Sequence, residues 1–118
     1  LSSPKYNKTK GASFEIDIVK LFRKLGHLAE RLRLAGKDDE GDLVATIAGK
    51  LYIFELKNVQ KLDLPRFWKE AEVETKNYAK ARGLEQVPPA YVIVKRRNAP
   101  IEKSWVICPL DQWLEEKK

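Results

Sequence analysis

Gly41-Asp-Leu-Val-Ala-Thr-Ile-Ala-Gly-Lys-Leu-Tyr-Ile-Phe-Glu-Leu-Lys57 is the stretch whose reading decides the fold. It holds two β-rich runs, Leu43–Ala48 and Leu51–Lys57, joined by Gly49-Lys50, the two-residue spacing of a hairpin. Alternation in the second run puts Leu51, Ile53, Glu55 and Lys57 on one face and Tyr52, Phe54 and Leu56 on the other. Both faces begin apolar, as in a central strand, and then a carboxylate and an ammonium stand side by side. Burying or half-burying such groups is costly unless they are paired or bind a metal. A hairpin closed symmetrically about Gly49-Lys50 pairs Ala48 with Leu51 and Val44 with Glu55. That register sets Asp42 opposite Lys57 and diagonal to Glu55, within about 7 to 8 Å, a span one hard cation can bridge.

Working outward, residues 1–10 are rich in Ser, Lys and Asn and read as a loose, flexible basic arm before a single domain over 11–118. From Ser13 to about Gly26, Phe14, Ile18, Leu21, Phe22 and Leu25 recur at steps of three and four, which predicts an amphipathic helix ended by glycine. His27–Leu34 reads as a strand and Gly36–Gly41 as an exposed turn cluster. Pro65 suits the first turn of a helix running to about Arg82, stopped by Gly83. Ala90–Lys95 and Ser104–Cys108 are further strands, and Pro109 opens a final short helix. The order αβββαββα makes the chain a mixed α/β domain, with a central sheet of about five strands covered by the first two helices.

Composition narrows the chemistry. The 118 residues carry 23 Lys and Arg against 17 Asp and Glu, a net charge of +6, with one His, one Cys and no Met. Zinc ribbons and Cys/His fingers are excluded within one chain, and Cys108 alone forms no internal disulfide, in keeping with a reducing cytoplasm. No apolar run reaches the roughly 18 residues of a membrane span, and Leu1–Lys10 lacks the apolar core of a signal peptide. A soluble, cytoplasmic protein without a membrane partner is expected, whose chemistry runs on carboxylates and lysines.

A third anomaly lies on the first helix, where Glu15 shares a stripe with Ile18, Val19 and Phe22 and so borders the buried face. Glu15, Asp42, Glu55 and Lys57 are therefore expected to converge where helix and sheet meet. The plainer alternative is a structural Asp42–Lys57 salt bridge with Glu55 solvated at a sheet edge. Glu-x-Lys recurs at Glu74-Thr-Lys76 and Glu115-Glu-Lys117, but residues two apart diverge on a helix, so only the strand copy can converge on a ligand. Lys5, Lys8, Lys10, Arg31, Arg33, Lys37, Lys61, Arg66, Lys69, Lys95, Arg96, Arg97 and Lys103 flank this site in sequence, a spread suited to phosphate contact. Phe67, Trp68 and Tyr78 read as core or subunit contacts. Trp105 and Trp113 are expected to pack against the sheet, Cys108 to be buried and His27 to be solvated.

A Glu on the first helix (Glu15), an Asp opening a strand (Gly41-Asp42-Leu-Val) and Glu55-Leu56-Lys57 on the next strand resemble the PD-(D/E)XK nuclease superfamily. The Lys10-Gly11-x-x-x-Glu15 opening, small size and basic charge are similar to archaeal-type and bacteriophage Holliday junction resolvases, and the likeness spans about residues 10–108. Gly41 replaces the usual Pro, and Arg33–Lys37 lacks a Ser that the archaeal branch carries. Glu74 and Tyr78 echo an accessory Gln-x-x-x-Tyr motif with Glu for Gln.

The resemblance implies a restriction-endonuclease-like core and metal-dependent hydrolysis of a DNA phosphodiester. Asp42, Glu55 and the Leu56 backbone carbonyl would hold Mg²⁺, with Mn²⁺ as substitute. Glu15 would bind a second metal or orient water, and Lys57 would stabilise developing charge. The implied substrate is branched DNA cut by a homodimer, whose contact surface is placed on the second helix, in a host cytoplasm if the protein is phage-encoded. A repair or restriction-type nuclease on duplex or flap DNA, and a DNA-binding protein of this fold without catalysis, are the alternatives.

Overall fold

A computed structural model describes residues 4–32 and 39–118, with side chains from residue 11 onward. The elements are α1 (Pro4–Lys24), β1 (Leu28–Arg31), β2 (Leu43–Ile47), β3 (Lys50–Lys57), α2 (Leu64–Ala81), β4 (Ala90–Val94), a 3-10 turn (Ile101–Lys103), β5 (Trp105–Ile107) and α3 (Leu110–Glu116). Apart from the 3-10 turn, this is the order expected from the sequence. Arg33, Lys37 and the first half of the expected turn cluster lie outside the described residues.

Helix α1 begins at Pro4 and takes in most of the segment expected to form a loose arm. Proline has no N–H to lose in a first turn, and Gly11 costs a helix interior only about 1 kcal/mol relative to Ala. The added turns carry no apolar stripe, so periodicity does not reveal them. Both long helices end in the same way. Gly26 and Gly83 have φ of 90° and 62°. Their N–H groups reach the carbonyls of Arg23 and Lys80 at 3.0 and 3.3 Å, while those of His27 and Leu84 reach Phe22 and Ala79 at 3.0 and 2.9 Å. These paired bonds form the Schellman arrangement that satisfies the terminal carbonyls. At the start of α2, the Asp63 carboxylate accepts from the Arg66 N–H at 3.3 Å.

The sheet runs β1-β2-β3-β4-β5 in space, antiparallel throughout except for the parallel β3–β4 pair made by the α2 crossover. On one face Leu43, Ala45, Phe54, Leu56 and Ile93 pack with Phe14, Ile18 and Val19 of α1. On the other, Ala90, Val92 and Val94 meet Phe67 and Ala71 of α2, and Val44 and Ile53 meet Tyr78. Strand β3 is covered on both faces, which explains why its two residue sets both begin apolar. Because Glu55 and Lys57 share the parity of Ile53, they project toward α2.

The hairpin closes differently from the expected register. Ile47 pairs with Lys50 and Val44 with Ile53, so the turn residues are Ala48 and Gly49, both at positive φ (52° and 80°). A two-residue hairpin turn of that type matches the twist of its strands better than one centred on Gly49-Lys50. The slip is two residues, so every side chain keeps its face, but Asp42 moves from beside Lys57 to beside Glu55.

Trp105 and Trp113 do not pack into the sheet as expected: they are 51% and 49% exposed. Strand β5 is a three-residue edge that packs against the α2 cluster through Ile107, and α3 is a two-turn helix with no buried residue. Cys108, expected to be buried, follows β5 and is half-buried. Among the described residues no helix is long and apolar enough to cross a membrane.

Candidate active site

Asp42 stands at the entrance of β2 and its backbone is fixed on both sides. Its N–H donates to the Phe54 carbonyl at 3.0 Å and its carbonyl accepts from the Leu32 N–H at 2.9 Å. Gly41 makes this approach possible. Its φ is 107°, and a Cβ there would lie 2.7 Å from Ile53 Cγ2. A proline, locked near −65°, cannot adopt that conformation. The carboxylate then turns inward, and its Oδ2 accepts from the Leu56 N–H at 2.8 Å.

Glu55 is 5% exposed and Glu74, on α2, 6% exposed. Glu55 has Asp42 on one side and Glu74 on the other, each near enough to shift its acidity, and Asp39 lies near Glu74 in turn. Carboxyl groups brought this close in a poorly solvated place resist full ionisation. The acidities agree. Burial pushes Asp42 up to about 8, assisted by the hydrogen bond and charge of Glu55, with the Leu56 N–H opposing. Burial and the nearby Glu74 raise Glu55 to about 7, against the opposing pulls of Asp42 and Lys57. Glu74 rises to about 8, again chiefly by burial, with the charges of Asp39 and Asp42 adding. Glu55 Oε1 and Glu74 Oε1 are buried without any hydrogen-bond partner.

Lys57 closes the site on the side of α2. Its Nζ lies 2.9 Å from Glu70 Oε1 and 3.5 Å from Glu55 Oε2, and 5.0 Å from the centre of the Phe67 ring. Burial pulls its pKa down, but the Glu70 hydrogen bond and the charge of Glu55 outweigh that, and the net displacement is upward. Lys57 is thus a fixed cation. The plainer alternative of an Asp42–Lys57 bridge with Glu55 solvated does not occur.

Glu15 sits at the margin, as its stripe predicts. It is ion-paired to Arg31 Nε at 3.0 Å. Its carboxyl is raised by partial burial and then by the charge of Asp42, with Arg31 pulling the other way. The four expected residues therefore gather at one end of the sheet, with Asp42, Glu55 and Lys57 in direct sequence and Glu15 beside them. Sequence reasoning gave little weight to Glu74 and none to Glu70. Glu74 had a readable signal, since it lies on the stripe of Phe67, Ala71 and Tyr78 at helical steps of seven, three and four.

Of the residues expected to contact DNA, Arg31 is engaged by Glu15 and Arg66 pairs with Asp63 at 3.5 Å. Lys61 and Arg97 are exposed, and Lys95 and Arg96 are half-buried. Lys8 and Lys10 fall within α1, and their side chains lie outside those described. Among the described residues, no three His, Cys, Asp or Glu side chains are disposed around one point as a formed metal centre.

The fold is that of the PD-(D/E)XK nucleases in their resolvase-like form: a mixed five-stranded sheet between helices, in the order αβββαββα. Among solved structures the chain is similar to Hjc, a Holliday junction resolvase from the archaeal hyperthermophile Archaeoglobus fulgidus. The two share 25% identity at a TM-score of 0.51, over 82% of this chain and 87% of that one. No protein-family model and no curated protein sequence matches the chain.

Proposed function

We propose that the protein is a metal-dependent, structure-selective DNA endonuclease that resolves four-way junctions by phosphodiester hydrolysis. The observation carrying this reading is the convergence of Asp42, Glu55 and Lys57 on a buried step of the sheet, with a carboxylate oxygen of Glu55 lacking any donor. The similarity to Hjc supports the substrate class.

The donor set fits Mg²⁺ or Mn²⁺. It consists of oxygen alone, and Mg²⁺ commonly takes one or two carboxylates and fills its octahedron with water, so no preformed cage of three acids is needed. Asp42, Glu55 and the Leu56 carbonyl would hold the ion. When bound, it supplies Lewis-acid polarisation of the phosphate and a nucleophile at neutral pH.

The chain's own residues do the rest. Lys57, kept cationic by Glu55 and Glu70, stabilises negative charge growing on the phosphate; its raised pKa makes it a poor general base. Glu74 braces Glu55 from behind. Glu15, steadied by Arg31, is placed to take a second cation or orient the attacking water. Symmetric cutting of two strands calls for a two-fold dimer, and the outer face of α2, where Val73 is half exposed, is its expected contact.

The test is incubation with four-way junction, flap and linear duplex in Mg²⁺ and in EDTA. Paired, symmetric nicks near the junction centre are the expected result. Cleavage of plain duplex or flap assigns a repair or restriction-type activity, and binding without metal-dependent cutting assigns a non-catalytic role.

A further inference from the structure

The carboxyl-terminal ends of the parallel strands β3 and β4 open into a groove of about 510 Å³, within the range of sites that hold small molecules. Its walls include Asn58 and Gln60 after β3, Lys95, Arg96 and Arg97 after β4, and Trp105 of β5. No carboxylate lines it, in a chain with 17 acidic residues. Three other hollows of comparable size each carry at least one glutamate. The chemistry is cationic and amide-bearing, with one large aromatic surface. The Trp105 ring is half exposed, and the Arg96 guanidinium lies over it at 4.4 Å.

The register ties this groove to the catalytic step. Lys57 is paired with Val94, and Val94 with Trp105, so the three residues share one rung across β3, β4 and β5. Directly paired residues project to the same face, and Val94 packs toward α2, as Lys57 does. Strands lie about 4.8 Å apart, which sets the Lys57 and Trp105 backbones about 10 Å apart. That distance is about three steps of a stacked nucleic-acid strand at about 3.4 Å each.

We infer that this groove binds an unpaired stretch of the DNA strand, with one base stacked on Trp105, its edge facing Asn58 and Gln60, and its flanking phosphates met by Lys95 and Arg97. A base inside a duplex hides its face in the stack and offers the groove only phosphates, so an exposed indole on the rung of Lys57 selects strands whose bases have come apart. The inference rests on the endonuclease reading and sharpens it. The preference for branched DNA then resides in this groove, which takes up a base unstacked at the branch point.

The experiment reads binding in EDTA, where nothing is cut, with oligo(dT) of about 12 nucleotides, a four-way junction and a blunt duplex. Intrinsic tryptophan fluorescence should be quenched by oligo(dT), and Trp105→Phe should abolish most of that quench while keeping affinity within about threefold, because phenylalanine still stacks. Trp105→Ala should weaken oligo(dT) and junction binding by about 5- to 150-fold, the range for one stacked base, and change duplex binding by less than about twofold. Equal loss on duplex and single strand, an undiminished quench in Trp105→Phe, or displacement of oligo(dT) by poly-glutamate with comparable affinity would each overturn the assignment, the last in favour of an acidic protein partner. A quench that persists in a protein without Mg²⁺-dependent cleavage would refute the nuclease reading and leave the groove standing. Junction cleavage without the quench would do the reverse.

Discussion

Replacing Asp42 by asparagine should stabilise the metal-free protein in alkali. The amide has the shape of the carboxyl and its oxygen can still accept from the Leu56 N–H, so the local hydrogen bond survives. In the unfolded chain an aspartate ionises near pH 4, whereas burial holds the folded carboxyl up to about 8. Between those values the folded state retains a proton that the unfolded state has lost. Stability from this group is therefore complete below about pH 4, falls as pH rises, and is gone above about pH 8. The displacement from 3.8 to about 8 caps the loss at about 6 kcal/mol. Asp42, Glu55 and Glu74 titrate as a coupled cluster, so the part removed by one substitution is smaller, on the order of 3 kcal/mol. For a domain of this size the difference amounts to roughly 10 °C in melting temperature. Circular-dichroism melts of both proteins in EDTA, taken from pH 5 to pH 9, measure it. Asp42→Asn should lie within about 1 kcal/mol of the wild type near pH 5 and exceed it by about that margin at pH 9. Parallel curves across the range would refute a buried, coupled acid cluster.

The same cluster sets the response to metal. At the proposed site Mg²⁺ would displace protons from the raised carboxyls, so calorimetry near pH 7 should show proton release on binding and an affinity that rises toward pH 8 and above; pH-independent affinity would count against Asp42 and Glu55 as ligands. Lys57→Ala should reduce turnover on a four-way junction at least about 100-fold while junction affinity in EDTA stays within about threefold, and normal cleavage by this variant would exclude Lys57 from the chemistry. Gly41→Ala should cost about 1 to 3 kcal/mol in urea denaturation, because its methyl meets the buried Ile53 at a φ that disfavours side chains, and an unchanged midpoint would remove the role given to this glycine.

Features carried by local chemistry were legible in the sequence. Gly26, Pro65 and Gly83 mark helix boundaries because each does something at a terminus that other residues do poorly, and β3 announces itself through apolar residues on both faces. The register was not legible. It depends on Ala48 taking a left-handed conformation that alanine disfavours, which no residue preference foretells. Asp42, Glu55 and Lys57 nevertheless keep the expected face, because a slip of two residues conserves sidedness and only exchanges neighbours along the strand. Glu74 enters the sequence reading only as an echo of an accessory motif, although its place on the stripe of Phe67, Ala71 and Tyr78 puts it inside. Trp105 is expected from the sequence to pack against the sheet. Only the sheet order, with β5 at the edge, shows how so large a ring stays half exposed.

The Asp42–Leu56 hydrogen bond has a use beyond geometry. One rung at the open end of the β2–β3 ladder is made by an ionisable side chain in place of a carbonyl. The amide of Leu56 is thereby a resident spectroscopic probe. Its nitrogen and proton resonances should follow the charge on Asp42 through a pH titration and shift again when a cation takes the carboxylate. Its exchange with solvent should slow as the carboxylate gains charge and strengthens the bond, so one main-chain signal reports the state of the acidic end of the sheet without any label in the site.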